Sequence, residues 1–189
     1  MQKVTHLPYK AWQIIKRRFK DQGTATTLIW LYGRGLSGLT GVPILQFSRV
    51  TPNLFVGSQF NTLGKHMLNR SGIDACVNMR IEHDDAAFGL ALTRYLHLPT
   101  IDDDAPSIEH LDQGVEFIRE VINEGGKVYI HCGAGVGRAP SMAAAYLMAE
   151  GRSLDEALAM IRRVRPFIWI TAAQMAQLKG YEARCRGPI

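Results

Sequence analysis

The 189-residue chain contains only three cysteines, and it has no long uninterrupted apolar segment. The cysteines are Cys76, Cys132 and Cys185, with no Cys-x-x-Cys pair among them. Their wide spacing excludes a disulfide framework and a structural zinc site, and it favours a reducing compartment such as the cytoplasm. The most apolar stretch, 24–47, is interrupted by an arginine, several glycines and a proline, so it falls short of the roughly 18 to 20 residues of a membrane span. A signal peptide is not predicted either, since no small-residue cleavage site follows a continuous apolar core.

The charge balance is basic without being extreme. Lysine and arginine number 22 and aspartate and glutamate 17, which gives a net charge of +5 and a pI near 9.3. This favours anionic partners but is too small for a nucleic-acid-binding surface, so no nucleic-acid partner is predicted. With 47% apolar and 21% charged residues, the composition is that of an ordinary globular domain.

The first 47 residues differ in character from the rest of the chain. The first twenty contain no acidic residue, and Trp12, Ile15 and Phe19 fall at roughly helical spacing. Their basic residues are Lys3, Lys10, Lys16, Arg17, Arg18 and Lys20. We predict a basic amphipathic helix and an apolar loop, together 1–47, packed on a main domain at 48–189. Peripheral membrane contact through 1–47 is the alternative.

Beyond residue 48, short β-branched segments alternate with longer amphipathic ones. Ser153 with Glu156, and Thr171 with Gln174, have the spacing of helix capping boxes. Predicted strands lie at 54–56, 75–79, 95–98 and 128–130, and predicted helices at 108–123, 139–148, 153–165 and beyond 171. This alternation predicts an α/β fold with a central, mostly parallel sheet of four to five strands flanked by helices.

One segment, Val128 to Pro140, has the features of a phosphate-binding loop. A strand leads into Cys132, three glycines follow within five positions, and Arg138 stands where the next helix begins. Closely spaced glycines let backbone N–H groups surround an anion, and the helix N-terminus adds a positive field. Arg138 offers two donors to two phosphate oxygens, and the same field stabilises Cys132 as a thiolate. A thiolate beside a bound phosphate is a phosphoryl acceptor.

This segment resembles the Cys-x5-Arg phosphate loop of the protein tyrosine phosphatase superfamily, and the small domain, with a short strand before the loop, is similar to the dual-specificity branch. The resemblance runs from about Val50 to Glu182. It implies phosphomonoester hydrolysis through a phosphocysteine on Cys132, with no metal or cofactor. It also implies a phosphate-binding set made of Gly133, Ala134, Gly135, Val136, Gly137 and Arg138.

The resemblance also implies a general acid on a loop before the 108–123 helix. The Pro-x-x-Asp spacing selects Asp102, whereas the following Ala-Pro pair would select Asp103. His131 is expected to support the thiolate rather than act as a base. Gln174 is a candidate for positioning water in the second step. Cys76 is expected in the core, and Cys185 has no assigned role.

The sequence departs from the family's pattern at two places that bear on substrate choice and turnover. Ala139 stands where most members have a serine or threonine that helps the thiolate leave, and Ala139-Pro140 also occurs in regenerating-liver and plant glucan phosphatases. The loop lacks the lysines of phosphatases that act on highly phosphorylated inositol lipids, whereas 111–115 and 167–170 are similar to mitochondrial phosphatidylglycerophosphate phosphatases. The sequence therefore does not decide whether the substrate is a phosphoprotein, a lipid phosphate or a sugar phosphate. A phosphate-binding module with slow turnover is a further alternative. A sulfur-transfer domain with a cysteine at the head of its loop is another, although such a domain has no use for an acid at Asp102.

Overall fold

The predicted α/β architecture is confirmed by a computed structural model, which describes the backbone of residues 7–186 and the side chains of that range except 7–11, 14, 34 and 36. Within this range the sheet has four strands, all parallel, in the order β1-β4-β2-β3. The strands are β1 (Leu54–Ser58), β2 (Ala75–Arg80), β3 (Arg94–Thr100) and β4 (Val128–Cys132).

Strand β4 lies inside the sheet, and its residues are all buried. Parallel strands covered on both faces are almost entirely apolar, which explains Val128 and Ile130 on one face of β4 and Tyr129 on the other. Cys132 is the last residue of this strand. In open α/β sheets, ligands bind at the carboxyl ends of the strands, so the fold places Cys132 where a site is expected.

Six α-helices are described, and two short 3-10 turns lie at Leu45–Phe47 and Ala86–Phe88. Both predicted capping boxes form: the Ser153 hydroxyl accepts the Glu156 N–H at 3.3 Å, and the Thr171 hydroxyl accepts the Gln174 N–H at 3.2 Å. The helices are α1 (Leu7–Thr40), α2 (Thr62–Arg70), α3 (Ile108–Asn123), α4 (Arg138–Ala149), α5 (Leu154–Val164) and α6 (Ala172–Arg186).

The core has two parts, one on each face of the sheet. The larger part joins the sheet to helices α3 to α6, with the alanine-rich α4 buried along most of its length. The smaller part includes Leu68 of α2, Phe60 and Cys76. Cys76 is a fully buried core residue, as predicted.

The N-terminal region differs from its prediction, because the helix continues through the segment expected to be a loop and ends at Thr40. Gly23 interrupts it with a non-helical backbone (φ 80°, ψ 170°), a conformation that favours glycine. Gly23 thus divides α1 into a first arm before it and a second arm after it. The Arg18 guanidinium lies 4.4 Å from the centre of the Trp30 ring, so the two arms pack against each other. Burial of Trp30 and Thr27 offsets the weak helix propensity of the glycines in the second arm.

Helix α1 is attached to the segment that precedes α6. Arg18 donates to the Phe167 carbonyl at 3.1 Å, and Gln22 donates to the Ile168 carbonyl at 3.0 Å. Lys3, part of the predicted basic helix, lies outside the described residues. Between residues 7 and 186, no helix combines the length and apolarity needed to cross a bilayer.

Candidate active site

The glycine loop joins the end of β4 to the start of α4. The Gly135 N–H donates to the Cys132 sulfur at 3.3 Å. Gly135 has φ 67°, and a Cβ there would lie 2.4 Å from the Gly57 carbonyl oxygen. Only glycine fits this position, for reasons of both backbone conformation and space.

The carbonyl groups of the loop bond to the surrounding protein and turn away from Cys132. Because the carbonyl and N–H of a peptide unit point in opposite directions, this arrangement directs the loop N–H groups toward the sulfur side, as anion binding requires. The bonds run from Gln59 N–H to Gly133 (3.3 Å), from Arg165 to Ala134 (3.3 Å) and Gly135 (3.0 Å), and from Trp169 N–H to Val136 (2.7 Å).

Arg165 is a supporting residue that the sequence did not reveal. It is buried, and besides its two loop bonds it donates to the Phe47 carbonyl at 2.7 Å. Burial lowers the pKa of its guanidinium, although the group remains a cation. An arginine after helix α5 carries no sequence signal for this role, since its partners lie about thirty residues and more than a hundred residues earlier.

Arg138 is almost completely buried, with its guanidinium held on one side by Glu82. Its Nη1 and Nη2 atoms lie 2.9 and 3.0 Å from the two Glu82 carboxylate oxygens, and Nη1 also donates to the Thr100 carbonyl at 2.8 Å. The hydrogen bonds from Arg138 lower the pKa of Glu82 to about 2. Glu82 was missed in the sequence because it lies in a loop after β2 together with Asp84 and Asp85, and an acidic loop of this kind is normally solvated.

Of the two candidate acids, Asp102 is the one that lies against Arg138. Its Oδ1 atom is 2.8 Å from Arg138 Nη2, and its side chain is 77% exposed. Asp103 has a left-handed backbone (φ 64°), and its carbonyl accepts the Thr171 hydroxyl at 3.1 Å. Both aspartates line the cleft, but Asp102 alone of the two has an ion pair with Arg138.

Gln174 connects the acid loop to helix α6. Its side-chain Oε1 accepts the Thr171 N–H at 3.1 Å, and its Nε2 donates to the Asp104 carbonyl at 3.0 Å. The side chain is buried and lies beside Gly137, where a Cβ would be 3.1 Å from both amide atoms. Gln174 is therefore close enough to the loop for a role in the site.

His131 lies on the other face of β4 from Cys132, beneath the loop. Its Nε2 atom is 2.7 Å from Asp85, whose other carboxylate oxygen accepts Gln59 at 2.8 Å. Burial raises the pKa of Asp85, but His131 and Gln59 outweigh it and the pKa is lowered overall. The ring also packs edge-on against Phe60, at 5.1 Å between ring centres.

Among the side chains that the structure describes, Cys76, Asp85 and His131 form a group whose potential metal-ligand atoms all lie within 4.8 Å of one another. Burial raises the pKa of the Cys76 thiol to about 12. Asp85 lies 2.7 Å from the His131 ring, so the carboxylate holds the imidazole in place beneath the loop.

The loop opens into a cleft of about 410 Å³. Cys132, Arg138 and Asp102 lie on its walls together with Gln174 and Trp169. The first arm of α1 contributes a further wall, formed by Ile15, Arg17 and Arg18.

Comparison with known proteins agrees with this geometry. The family described as "Dual specificity phosphatase, catalytic domain" matches residues 54–184. Dual specificity phosphatase 28 of Mus musculus is 34% identical over 139 residues, which are 72% of this chain and 83% of that protein. Dual specificity protein phosphatase 1-A of Xenopus laevis is 31% identical over 144 residues, 74% of this chain, and the match spans only 38% of that longer protein.

A solved structure of PTPMT1 in complex with PI(5)P has the same fold, with a TM-score of 0.67 and 25% identity over 73% of this chain and 95% of that one. Helix α1 lies outside the matched family region. The chain therefore belongs to the dual specificity phosphatase family, within the cysteine-dependent protein tyrosine phosphatase superfamily.

Proposed function

We propose that the protein hydrolyses phosphomonoesters through a phosphocysteine intermediate on Cys132. One observation carries the proposal: a single cleft brings together the Cys132 sulfur at the head of the loop, the Arg138 guanidinium and the Asp102 carboxylate. These groups supply a nucleophile, an anion-binding cation and an acid, which are the three that phosphoryl transfer to a thiolate needs.

In the first step the Cys132 thiolate attacks phosphorus and the bond from phosphorus to the leaving oxygen breaks. Arg138 and the loop N–H groups of residues 133 to 138 stabilise the equatorial oxygens. Asp102, protonated, gives its proton to the leaving oxygen. In the second step water attacks phosphorus, Asp102 takes the proton from that water, and the phosphorus–sulfur bond breaks to restore the thiolate.

The other site residues act through these three. Arg165 and Glu82 hold the loop and the Arg138 guanidinium, and His131 holds the end of β4 from beneath. Gln174, bonded to the acid loop and adjacent to Gly137, positions that loop and the attacking water. Asp103 supports the loop through its backbone contact with Thr171.

Family membership implies phosphorylated substrates. A phosphoprotein is the first candidate, because the curated relatives are named as protein phosphatases. A lipid phosphate is the second, because the similar PTPMT1 structure is a complex with PI(5)P. Slow breakdown of the phosphocysteine, which Ala139 favours, would make the protein a phosphate-binding module with residual turnover.

A rapid-mixing experiment with para-nitrophenyl phosphate tests the mechanism. We expect a burst of phenolate equal to the enzyme concentration, followed by slower turnover, and a Cys132→Ser variant that binds tungstate but releases no phenolate. Turnover by Cys132→Ser would contradict the mechanism. Steady turnover of the wild type without a burst would show that the second step is not limiting. Release that stops at one equivalent would favour the binding module.

We also propose a cellular compartment and a membrane contact for the enzyme. The three cysteines are unpaired, which suits a reducing compartment such as the cytoplasm. Helix α1 exposes Trp12 and Phe19 beside Lys16 and Lys20, a combination that binds anionic bilayers peripherally. Sedimentation with phosphatidylserine vesicles tests this contact, and a Trp12→Ser variant is expected to remain in the supernatant. The division of the chain at residues 47 and 48 stays a prediction.

A further inference from the structure

We propose that Arg17 forms a second anion-binding subsite, and that the preferred substrate is a phosphomonoester carrying a second phosphate group. This inference rests on the proposed function, since the first phosphate occupies the Cys132 loop. The subsite is built by helix α1, which lies outside the region shared with the family.

Arg17 lies on the wall of the catalytic cleft with its side chain 68% exposed. Its guanidinium stacks on the Trp169 ring, 4.7 Å from the ring centre. Stacking restricts a long side chain at the mouth of the cleft, so less conformational entropy is lost when it binds an anion. The Trp169 backbone is itself fixed to the loop, because its main-chain N–H donates to the Val136 carbonyl.

The charges around the cleft leave Arg17 as the cation best placed for a ligand. Glu82 and Asp102 are both occupied by Arg138. Arg18 is buried against Phe167 and Trp30. Among the described side chains, Arg17 has one salt bridge, to Asp21 one helical turn away at 3.5 Å. An exposed pair of this kind contributes little, so a ligand phosphate can displace it at low cost.

A guanidinium offers paired donors that match phosphate oxygens. A substrate with one phosphate in the loop and a second near Arg17 therefore gains a contact that a simple monoester lacks. A soluble bisphosphate and a lipid headgroup with a monoester and a diester phosphate share this chemistry.

Binding to the full-length Cys132→Ser variant tests the subsite independently of turnover. Calorimetric titration with butanediol bisphosphate and with butyl phosphate gives a ratio of Kd values. The two equivalent ends favour the bisphosphate by a factor of about two, and we expect a preference of about tenfold from the added charged contact. Arg17→Gln in the same background should reduce the ratio to about two, and Arg17→Lys should restore part of it.

Lys20→Gln is the matched control. It removes one positive charge from the same exposed face of α1, but Lys20 does not line the cleft. We expect Lys20→Gln to keep the full preference. A wild-type ratio near two, or an equal loss in Arg17→Gln and Lys20→Gln, would overturn the proposal, because the effect would then be absent or due to net charge.

Titration with a short-chain soluble form of PI(5)P and with phosphatidylcholine vesicles containing PI(5)P distinguishes the source of the ligand. Dependence on Arg17 in both arms assigns the subsite to the headgroup itself, and dependence in the vesicle arm alone assigns it to a lipid surface. Turnover of para-nitrophenyl phosphate by the wild type is measured in parallel. Binding preference without turnover would refute the proposed function and leave the subsite, whereas turnover without preference would refute the subsite alone.

Discussion

Replacement of Arg165 by methionine tests whether this side chain fixes the conformation of the phosphate-binding loop. Methionine fills a similar volume and keeps the contact with Phe167, whose ring lies 4.8 Å from the guanidinium. The change removes three hydrogen bonds, to the carbonyls of Gly135, Ala134 and Phe47. Two of these carbonyls belong to the phosphate-binding loop, so stability and activity should both fall.

The magnitude follows from the bond lengths. The bonds to Phe47 and Gly135 measure 2.7 and 3.0 Å, whereas the bond to Ala134 is longer at 3.3 Å. Hydrogen bonds from a charged donor contribute about 1.5 to 3 kcal/mol each, so the two shorter bonds contribute roughly 3 to 6 kcal/mol. Methionine avoids the cost of burying a guanidinium, which offsets part of this, and we expect a net loss of about 3 kcal/mol. For a chain of this size that lowers the melting temperature by about 10 °C.

Activity should fall together with stability. Without Arg165 the carbonyls of the loop are free to turn inward, and a displacement of about 1 Å at a reacting centre costs about a hundredfold in rate. Thermal unfolding by circular dichroism and kcat/KM for para-nitrophenyl phosphate measure the two effects. Arg163→Met, at an exposed position two residues earlier, is the control and should change neither. An Arg165→Met variant with the wild-type melting temperature and kcat/KM would refute this account of the loop.

Four further substitutions probe the cleft. Ala139→Ser should speed breakdown of the phosphocysteine and shrink the burst relative to steady turnover; an unchanged ratio would contradict the role given to this position. Asp102→Asn should lower kcat/KM, which reports the first step, for alkyl phosphates by about a hundredfold or more, and less for para-nitrophenyl phosphate, whose leaving group needs little protonation. Asp103→Asn should have a much smaller effect, and the reverse order would reassign the acid. Because Arg138 lowers the pKa of Glu82 from its usual 4.5 to about 2, their pair stabilises the fold above about pH 4.5 and is lost as pH falls through 2. Glu82→Gln should therefore lower the melting temperature at neutral pH, with the difference disappearing toward pH 2; a constant difference would show that the pair is not responsible.

The N-terminal region shows where local pattern was insufficient. The basic residues and the spacing of Trp12 and Phe19 predicted a helix, and α1 begins as expected. The glycines beyond Gly23 predicted a loop, since each weakens a helix by up to about 1 kcal/mol relative to alanine. The helix nevertheless continues to Thr40, because Trp30 is buried against the first arm. Tertiary packing outweighed intrinsic propensity here.

The sequence by itself determined the features that depend on neighbouring residues. The strands, the capping boxes at Ser153 and Thr171, and the loop from Cys132 to Arg138 are all local, because periodicity, helix capping and glycine conformation act within a few residues.

Only the tertiary structure decided the contacts between distant residues. Glu82 meets Arg138 across 56 positions and Arg165 reaches Phe47 across 118, while Arg17 stacks on Trp169 from a helix at the other end of the chain. The neighbouring sequence does not show whether a charged residue is solvated or paired. The strength of its interaction depends on which partner the fold places beside it and on how far water is excluded there.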